Sequence, residues 1–169
     1  HVNDLMFLQE IELVVERSDQ IDLVELTQDV LNLYKPRSLN TGINLQLEAS
    51  DHIPTIKGDQ NALTRAVMAL VDNAVKYSPH GGDVLVRVGS ENGHVHLTVQ
   101  DEGIGIDTRH LPHIFERFYH VDKDTDHVYG GMGVGLPIAQ RLVRAHGGDI
   151  GVSSKFGEGS KFTIWLPVK

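Results

Sequence analysis

The sequence contains no cysteine, which excludes disulfide bonds, thiol nucleophiles and thiolate metal sites. It also lacks a long apolar segment, because the longest unbroken run, residues 66–71, is far shorter than the roughly 20 residues of a membrane-spanning helix. Positive charge is scarce: 15 Lys and Arg against 23 Asp and Glu give a formal net charge of −8. We therefore expect no binding to nucleic acid, no direct membrane contact and a reducing, cytoplasmic location.

The length and the apolar content predict one domain. With 169 residues, 40% of them hydrophobic, the chain can bury a single core. It begins with His1 rather than Met and has no signal region, so we expect it to be part of a longer protein.

Hydrophobic periodicity predicts the order of the elements. Apolar residues three and four apart predict helices over residues 4–17, 58–77 and 134–146. A further helix is predicted to begin after the N-cap Asp22 and to end before Pro36. Alternation predicts strands over residues 43–47, 84–88, 95–99, 150–153 and 162–166. Residues 108–119 are expected to be partly helical, and residues 122–131 to form a loop or lid. This order predicts an α+β fold, a two-layer α/β sandwich with one mixed, mostly antiparallel sheet covered by helices on one face.

Two common phosphate-binding motifs are absent. The P-loop needs a Gly-Lys dipeptide, and the chain has none. The dinucleotide fingerprint Gly-x-Gly-x-x-Gly fails, because Thr108 stands three residues after Gly105 and Leu136 three residues after Gly133. Both a P-loop and a Rossmann site are therefore excluded.

Three glycines, Gly131, Gly133 and Gly135, stand just before a predicted helix. Free N–H groups and the positive end of the helix dipole favour phosphate at such a place. Glycines before a helix also mark tight turns, so this segment alone leaves both interpretations open.

A polar trio lies on one face of the predicted long helix. Asn73 sits in the helix, where an amide has no propensity advantage, and its oxygen is a suitable Mg²⁺ ligand. Lys76 and Tyr77 follow by three and four positions and share its face. The alternative is a solvated helix end with a packed tyrosine.

Asp101 ends a predicted strand and precedes Gly103 and Gly105. Its carboxylate can accept a hydrogen bond from an adenine amino group, while the glycines let the backbone approach the base and the sugar. A turn-forming aspartate is the alternative interpretation.

Five segments occur in a characteristic order. They are Asn73-Ala-Val-Lys-Tyr77, Asp101-x-Gly-x-Gly105, Ile114-Phe-Glu-Arg-Phe-Tyr119, Gly131-x-Gly-x-Gly-Leu136, and Gly157-x-Gly-Ser160 leading to Leu166-Pro167. They resemble the N box, the first glycine box, the F box, the second glycine box and the closing strand of the catalytic and ATP-binding domain of sensor histidine kinases. The resemblance covers residues 22–168, and the superfamily also holds gyrase, mismatch-repair and heat-shock chaperone ATPases. The F box discriminates among these branches, because it typifies histidine kinases.

The resemblance implies a role for each matching residue. Asn73 would ligate Mg²⁺, and Lys76 would meet phosphate, with Lys123 helping to neutralise charge. Asp101 would read the adenine of ATP with support from Ser160. Phe115 and Phe118 would anchor a mobile ATP lid by packing. The implied catalytic residues are Asn73, Lys76 and Lys123. The implied nucleotide contacts are Asn73, Lys76, Tyr77, Asp101, Gly103, Gly105, Ile106, Phe118, Tyr119, Lys123, Gly131, Gly133, Val134, Gly135, Leu136 and Ser160.

Two positions depart from the family pattern. Ala69 stands where many histidine kinases carry a second Asn and where the ATPase branches carry a water-activating Glu. Alanine can neither ligate a metal nor activate water. We therefore expect fewer protein ligands for the metal and no ATP hydrolysis by a general base at this position. His120 replaces an Arg that follows the F-box Tyr in many relatives, and protonated His120 or Lys123 would supply that charge.

The resemblance also implies parts outside this chain. Residues 1–20 are expected to be the tail of a dimerisation and phosphoacceptor helical hairpin, and residues 21–169 the catalytic ATP-binding domain. None of the ten histidines has a phosphoacceptor context. The implied partners are the chain's own or a neighbouring phosphoacceptor hairpin and a response regulator receiver domain. The full-length protein would be a homodimer, either cytoplasmic or membrane-anchored with this part in the cytosol.

Three functions remain for comparison. The first is a kinase domain that presents ATP and Mg²⁺ to a histidine. The second is a nucleotide-sensing pseudokinase or interaction module, motivated by Ala69 and His120. The third is a free-standing ATPase, which Ala69 disfavours. A metal pair at His94 and His96 is considered and not favoured, since two histidines without a third ligand are more often surface residues.

Overall fold

The computed structural model describes residues 19–116 and 135–168. The strands are β1 (Asp19–Ile21), β2 (Ile43–Ala49), β3 (Ile56–Gly58), β4 (Gly82–Glu91), β5 (His94–Asp101), β6 (Asp149–Lys155) and β7 (Gly159–Pro167). The helices are α1 (Leu23–Asn40), α2 (Gln60–Lys76) and α3 (Gly135–Ala145), with a 3-10 turn at Leu111–His113. The helix predicted over residues 4–17 lies outside the described residues.

Five strands form the main sheet, in the order β2-β4-β5-β7-β6. The β2–β4 pair is parallel and the other neighbours are antiparallel. One face of the sheet is apolar and buried, with Val84, Val86, Val88, Val95, Leu97, Val99, Phe162, Ile164 and Leu166. The α+β fold with a mixed, mostly antiparallel sheet is therefore confirmed.

Helix α2 occupies the middle of the helical layer and contacts both α1 and α3. Asp59 caps it, because its Oδ1 accepts a hydrogen bond from Ala62 N at 3.1 Å. The face toward the sheet is apolar and buried, with Leu63, Ala66, Val67, Leu70, Val71, Ala74 and Val75. Each large apolar side chain buried here stabilises the fold by about 1.5–3 kcal/mol. This packing fixes the opposite, polar stripe of α2 in space.

The end of α1 differs from the prediction. The sequence predicts that the helix stops before Pro36, but α1 continues to Asn40 with Pro36 inside it. Local and tertiary contacts outweigh the hydrogen bond that proline removes. Ser38 is buried and its hydroxyl donates to the Lys35 carbonyl at 2.9 Å, while Arg37 pairs with Asp72 of α2 at 3.2 Å.

A second, two-stranded sheet is absent from the prediction. Strands β1 and β3 pair antiparallel, with Asp19 opposite Gly58 and Ile21 opposite Ile56. Gly58, predicted at the start of the long helix, therefore belongs to a strand. Segments of three residues are too short to show an alternating pattern. The predicted domain boundary after residue 20 falls inside β1.

The hairpin of β4 and β5 brings Asp101 to its place. Its turn uses Asn92 and Gly93 at φ of 53° and 78°, which is the geometry that suits a two-residue hairpin. The resulting register places Asp101 opposite Val84 of β4 and Ser160 of β7. Three strands therefore meet at one end of the sheet beside Asp101.

A buried histidine joins α3 to the start of α2. His146 Nδ1 donates to the Leu142 carbonyl at 2.7 Å, and Nε2 accepts from Asp59 N at 3.0 Å. Because one ring nitrogen donates and the other accepts, the ring is neutral in this arrangement.

Candidate functional site

Asp101 is a buried carboxylate at the end of β5, only 4% exposed. Its Oδ1 accepts hydrogen bonds from Gly103 N at 2.9 Å and from Ser160 N at 3.2 Å. Within residues 19–116 and 135–168, no hydrogen bond reaches Oδ2. Two backbone N–H groups thus hold the carboxylate in one orientation and leave one oxygen for an external donor.

Burial raises the pKa of Asp101 from 3.8 to about 6, although the N–H groups of Gly103 and Ser160 act in the opposite direction. Desolvation is the larger effect, because it penalises the charged form. The carboxylate is still mostly ionised at neutral pH. A strongly shifted group at a strand end is typical of a functional site.

Gly103 and Gly105 pack directly on protein backbone. A Cβ at Gly103 would lie 2.8 Å from the Tyr77 carbonyl carbon, and Ile104 N donates to Tyr77 O at 3.0 Å. Gly105 has a φ of +73°, and a Cβ there would lie 2.8 Å from the carbonyl carbon of Lys155. The loop after β5 is thereby fixed against the C-terminal end of α2, which brings Tyr77 beside the Asp101 loop.

Ser154 contacts two of the predicted site residues, Ile106 and Ser160, but was not itself predicted. Its hydroxyl accepts from Ile106 N at 2.8 Å and donates to Gly159 O at 2.9 Å. Because its one proton is used there, the Ser160 hydroxyl donates to it across 2.7 Å. Ser154 therefore links Ile106 to Ser160. A lone serine in a strand gives no sequence signal for this role.

Asn73 and Lys76 lie one turn apart near the end of α2, and both are partly buried. The Asn73 carbonyl accepts from Tyr77 N at 3.1 Å, whereas no hydrogen bond from the described part of the chain reaches its side-chain amide. An amide oxygen in this state suits Mg²⁺, which takes oxygen ligands and keeps several waters.

Lys76 belongs to a charged network that joins α1 to α2. Its Nζ lies 2.9 Å from Asp72 Oδ2, and Arg37 Nη1 lies 3.2 Å from Asp72 Oδ1. The Tyr34 hydroxyl donates to the same Oδ1 at 3.4 Å. The sequence offers only the four-residue spacing of Asp72 and Lys76 as a signal, because Tyr34 and Arg37 come from another helix.

A cleft of about 390 Å³ opens beside this network, between the three helices. It is lined by Tyr34, Arg65, Met68, Ala69, Asp72, Gly135 and Ile138. A Cβ at Gly135 would lie 3.6 Å from the Ala69 Cβ, so Ala69 faces the start of α3. Gly135 and Leu136 are the first residues of that helix.

Other predicted site residues lie outside the described residues. They are Phe118, Tyr119, His120, Lys123, Gly131, Gly133 and Val134. Phe115 is described, and its ring meets Phe162 edge to face, with centroids 6.4 Å apart and planes at 82°. Phe115 is thus anchored to β7.

Residues 19–116 and 135–168 contain neither a metal-binding cluster nor a membrane-spanning helix. No group of three or more His, Cys, Asp or Glu residues in residues 19–116 and 135–168 is arranged to hold a metal ion. No helix among the same residues is long and apolar enough to cross a membrane.

A family model with the description "Histidine kinase-, DNA gyrase B-, and HSP90-like ATPase" matches residues 58–169. The chain belongs to this family. WalK, a sensor histidine kinase of Bacillus subtilis, is 43% identical over 113 residues, covering 66% of this chain and 18% of WalK. The sensor histidine kinase RppB of Synechocystis sp. is 36% identical over 169 residues, covering 99% of this chain and 37% of RppB. The crystal structure of full-length ShkA in complex with AMPPNP is 31% identical, with a TM-score of 0.83 over 98% of this chain and 35% of ShkA.

These similarities confirm the predicted family, its fold and the assignment of the chain as an ATP-binding catalytic domain of the histidine kinase type. The chain spans only 18% of WalK and 37% of RppB. The similarities thus extend over the catalytic domain and not over the whole length of these relatives.

Proposed function

We propose that this chain presents ATP, with Mg²⁺ at its phosphates, for transfer of the γ-phosphoryl group to a histidine on a separate helical hairpin. The observation that carries the proposal is the buried Asp101, whose loop packs on the end of the helix that bears Asn73 and Lys76. A carboxylate for the adenine amino group and polar groups for phosphate would thus belong to one site. The ShkA complex with AMPPNP supports a nucleotide in this fold.

Magnesium would be held by Asn73, whose side-chain amide no other described residue engages. Bound there, the metal would neutralise charge on the phosphates. Asp101 Oδ2 would accept from the adenine amino group, and Lys76 would donate to phosphate oxygens. Tyr77, Ile106, Gly135 and Leu136 would line the nucleotide.

The lid residues complete the proposed site. Phe118, Tyr119, Lys123, Gly131, Gly133 and Val134 would contact the nucleotide as the resemblance implies. Lys123 would add positive charge beside the phosphates, which favours phosphoryl transfer.

The wider proposals concern the full-length protein. Residues 1–20 would be the tail of the phosphoacceptor hairpin, and residues 21–169 the catalytic domain. The partners would be that hairpin, from the same or a neighbouring subunit of a homodimer, and a response regulator receiver domain. The chain would lie in the cytoplasm, alone or as the cytosolic part of a membrane-anchored sensor.

Hydrolysis of ATP is disfavoured at this site. Ala69 faces the cleft and cannot act as a general base. Asp72 lines the same cleft, but its carboxylate is already engaged by Lys76 and Arg37. A second candidate function, a nucleotide-sensing module without transfer, is favoured by the same Ala69, because the metal then has fewer protein ligands.

The proposal is tested by supplying the phosphoacceptor hairpin of the full-length protein as a separate polypeptide. The chain is incubated with that hairpin, Mg²⁺ and ATP labelled at the γ-phosphate. We expect acid-labile label on the hairpin, and none when Asp101→Asn replaces the wild type. Binding of ATP without transfer would support the sensing module instead, and steady release of labelled phosphate would support an ATPase.

A further inference from the structure

The polar stripe of α2 includes Asp72, to which the proposed function assigns no role in binding the nucleotide. Asp72 directly precedes Asn73, lines the cleft beside Ala69, and stands four residues before Lys76. This spacing places Asp72 and Lys76 on the same side of the helix.

Both carboxylate oxygens of Asp72 are engaged, each by a different helix. Oδ2 contacts Lys76 Nζ of α2 at 2.9 Å. Oδ1 contacts Arg37 Nη1 and the Tyr34 hydroxyl, both of α1, at 3.2 Å and 3.4 Å. The carboxylate therefore bridges the lysine to a neighbouring helix.

The anchor on α1 is a stable donor set. Burial and the nearby Asp72 charge raise the pKa of Tyr34 to about 12, although Arg37 acts in the opposite direction. The hydroxyl consequently keeps its proton at any physiological pH, and its acceptors are Asp72 Oδ1 at 3.4 Å and the Met68 carbonyl at 3.5 Å. Arg37 Nη1 lies closer to the same carboxylate oxygen, at 3.2 Å, so two groups of α1 orient the Asp72 carboxylate.

The exposures show why the Lys76 contact matters more than a surface ion pair. The side chains of Lys76 and Asp72 are 25% and 27% exposed, whereas those of the Arg87–Glu48 pair are 56% and 58% exposed. Partly buried pairs are screened less by solvent and salt.

We propose that Asp72 is a positioning residue, which holds the ammonium group of Lys76 in place for the phosphates of the nucleotide. This inference rests on the proposed function, in which Lys76 meets phosphate. The Lys76 ammonium group has three N–H donors. If one of them donates to Asp72, two remain for phosphate oxygens. Ordering a free lysine side chain when the nucleotide binds costs conformational entropy. The contact with Asp72 orders Lys76 beforehand and so removes much of this entropic cost.

The charge of Asp72 opposes its own positioning effect. A carboxylate near phosphates repels them, but Lys76 and Arg37 together carry two positive charges against its one negative charge. The network is therefore net positive. Positioning dominates if removal of the carboxylate weakens phosphate binding, and repulsion dominates if its removal strengthens phosphate binding.

The test is a double-mutant cycle on Asp72→Asn and Lys76→Met, with Mg·ATP and adenosine as the probes. We expect Asp72→Asn to weaken Mg·ATP binding by about threefold to tenfold and to leave adenosine binding unchanged. In the Lys76→Met background, Asp72→Asn should cause no further weakening. Asp72→Glu should restore part of the affinity, because a glutamate four residues before a lysine also reaches it.

Two further variants guard the test against a general effect on folding. Glu48→Gln is the matched control, since it neutralises a carboxylate in the Arg87 pair of the sheet, and we expect no change in Mg·ATP affinity. Tyr34→Phe removes one of the two α1 donors while leaving the Asp72 charge and Arg37 in place, and we expect weaker Mg·ATP binding than in the wild type.

Three results would overturn the inference. They are unchanged or tighter Mg·ATP binding by Asp72→Asn, an equal loss for adenosine, and an equal loss in the Lys76→Met background. Wild-type chain that binds no Mg·ATP would refute the proposed function itself. If the wild type binds Mg·ATP and Asp72→Asn binds it with the same affinity, only the role of Asp72 is refuted.

Discussion

Asp101 is a carboxylate that the fold buries and then orients with backbone N–H groups. Its pKa of about 6, against 3.8 in the absence of burial, means that the folded chain binds a proton there more tightly than the unfolded chain does. The stability that this proton provides is fully present below about pH 4 and is lost as the pH rises through about 6. At neutral pH, ionised Asp101 destabilises the protein without nucleotide.

Asp101→Asn removes the free-energy cost of the buried negative charge. It keeps an oxygen that can accept hydrogen bonds from Gly103 N and Ser160 N. We expect the variant to be more stable than wild type above about pH 6, by up to about 3 kcal/mol, with the difference vanishing near pH 4. Urea unfolding at several pH values measures the difference. A difference that does not change with pH would contradict the assignment.

We expect the same ionisation to govern nucleotide binding. Because Oδ1 accepts from two backbone N–H groups, a proton binds at Oδ2, and a protonated Oδ2 is a poorer acceptor for the adenine amino group than the carboxylate oxygen. We expect ATP affinity to be constant above about pH 6 and to fall at lower pH, while Asp101→Asn binds weakly at every pH. Calorimetric titrations across this range provide the measurement, and an ATP affinity that rises on acidification would count against the role of Asp101.

At the scale of elements, the loop after β5 depends on the close approach of Gly103 to α2. A Cβ at this position would collide with the Tyr77 carbonyl. We expect Gly103→Ala to cost about 2 kcal/mol or more and to weaken ATP binding, because the Asp101 loop must move.

Gly93→Ala is the control for that substitution. Gly93 has a φ of +78° but no atom within 4 Å of an added Cβ, so only backbone strain of about 1–2 kcal/mol is expected. Thermal unfolding and ATP titration of both variants separate the two effects. Loss of ATP affinity in Gly93→Ala and not in Gly103→Ala would contradict the account.

The joint between α3 and α2 provides a second test at this scale. His146→Ala leaves Asp59 N without the acceptor that it has at 3.0 Å. We expect a loss of about 1–3 kcal/mol in the free energy of unfolding, compared with less than about 0.5 kcal/mol for exposed His80→Ala. Denaturant unfolding measures both, and equal effects would show that His146 does not join the helices.

At the scale of the whole molecule, the sequence predicts the long, periodic elements well. Helix α2 and the five strands of the main sheet each carry enough apolar residues to reveal their period. Strands β1 and β3 do not, because pairing between distant three-residue segments leaves no local pattern. The C-terminal end of α1 was predicted wrongly, since contacts from Ser38 and Arg37 outweigh the local effect of Pro36.

The candidate site, like the fold, is only partly predictable from the sequence. Motif order along the chain indicates Asn73, Asp101 and the glycines, because each stands at the end of a periodic element. The network around Asp72 depends on tertiary structure, as Tyr34 is 38 residues away in the sequence. Ser154 likewise acquires its role only when β6 and β7 pair. Such contacts follow from the packing of elements and not from their order.

The proposed binding of Mg·ATP depends on adenine recognition by Asp101. Calorimetric titration of the wild-type chain with Mg·ATP and with Mg·GTP tests it directly. Guanine carries a carbonyl oxygen where adenine carries the amino group, so Asp101 Oδ2 would face another acceptor. We predict micromolar-range binding of ATP and binding of GTP weaker by at least about tenfold. Equal affinity for the two nucleotides, or no binding of ATP, would contradict the account.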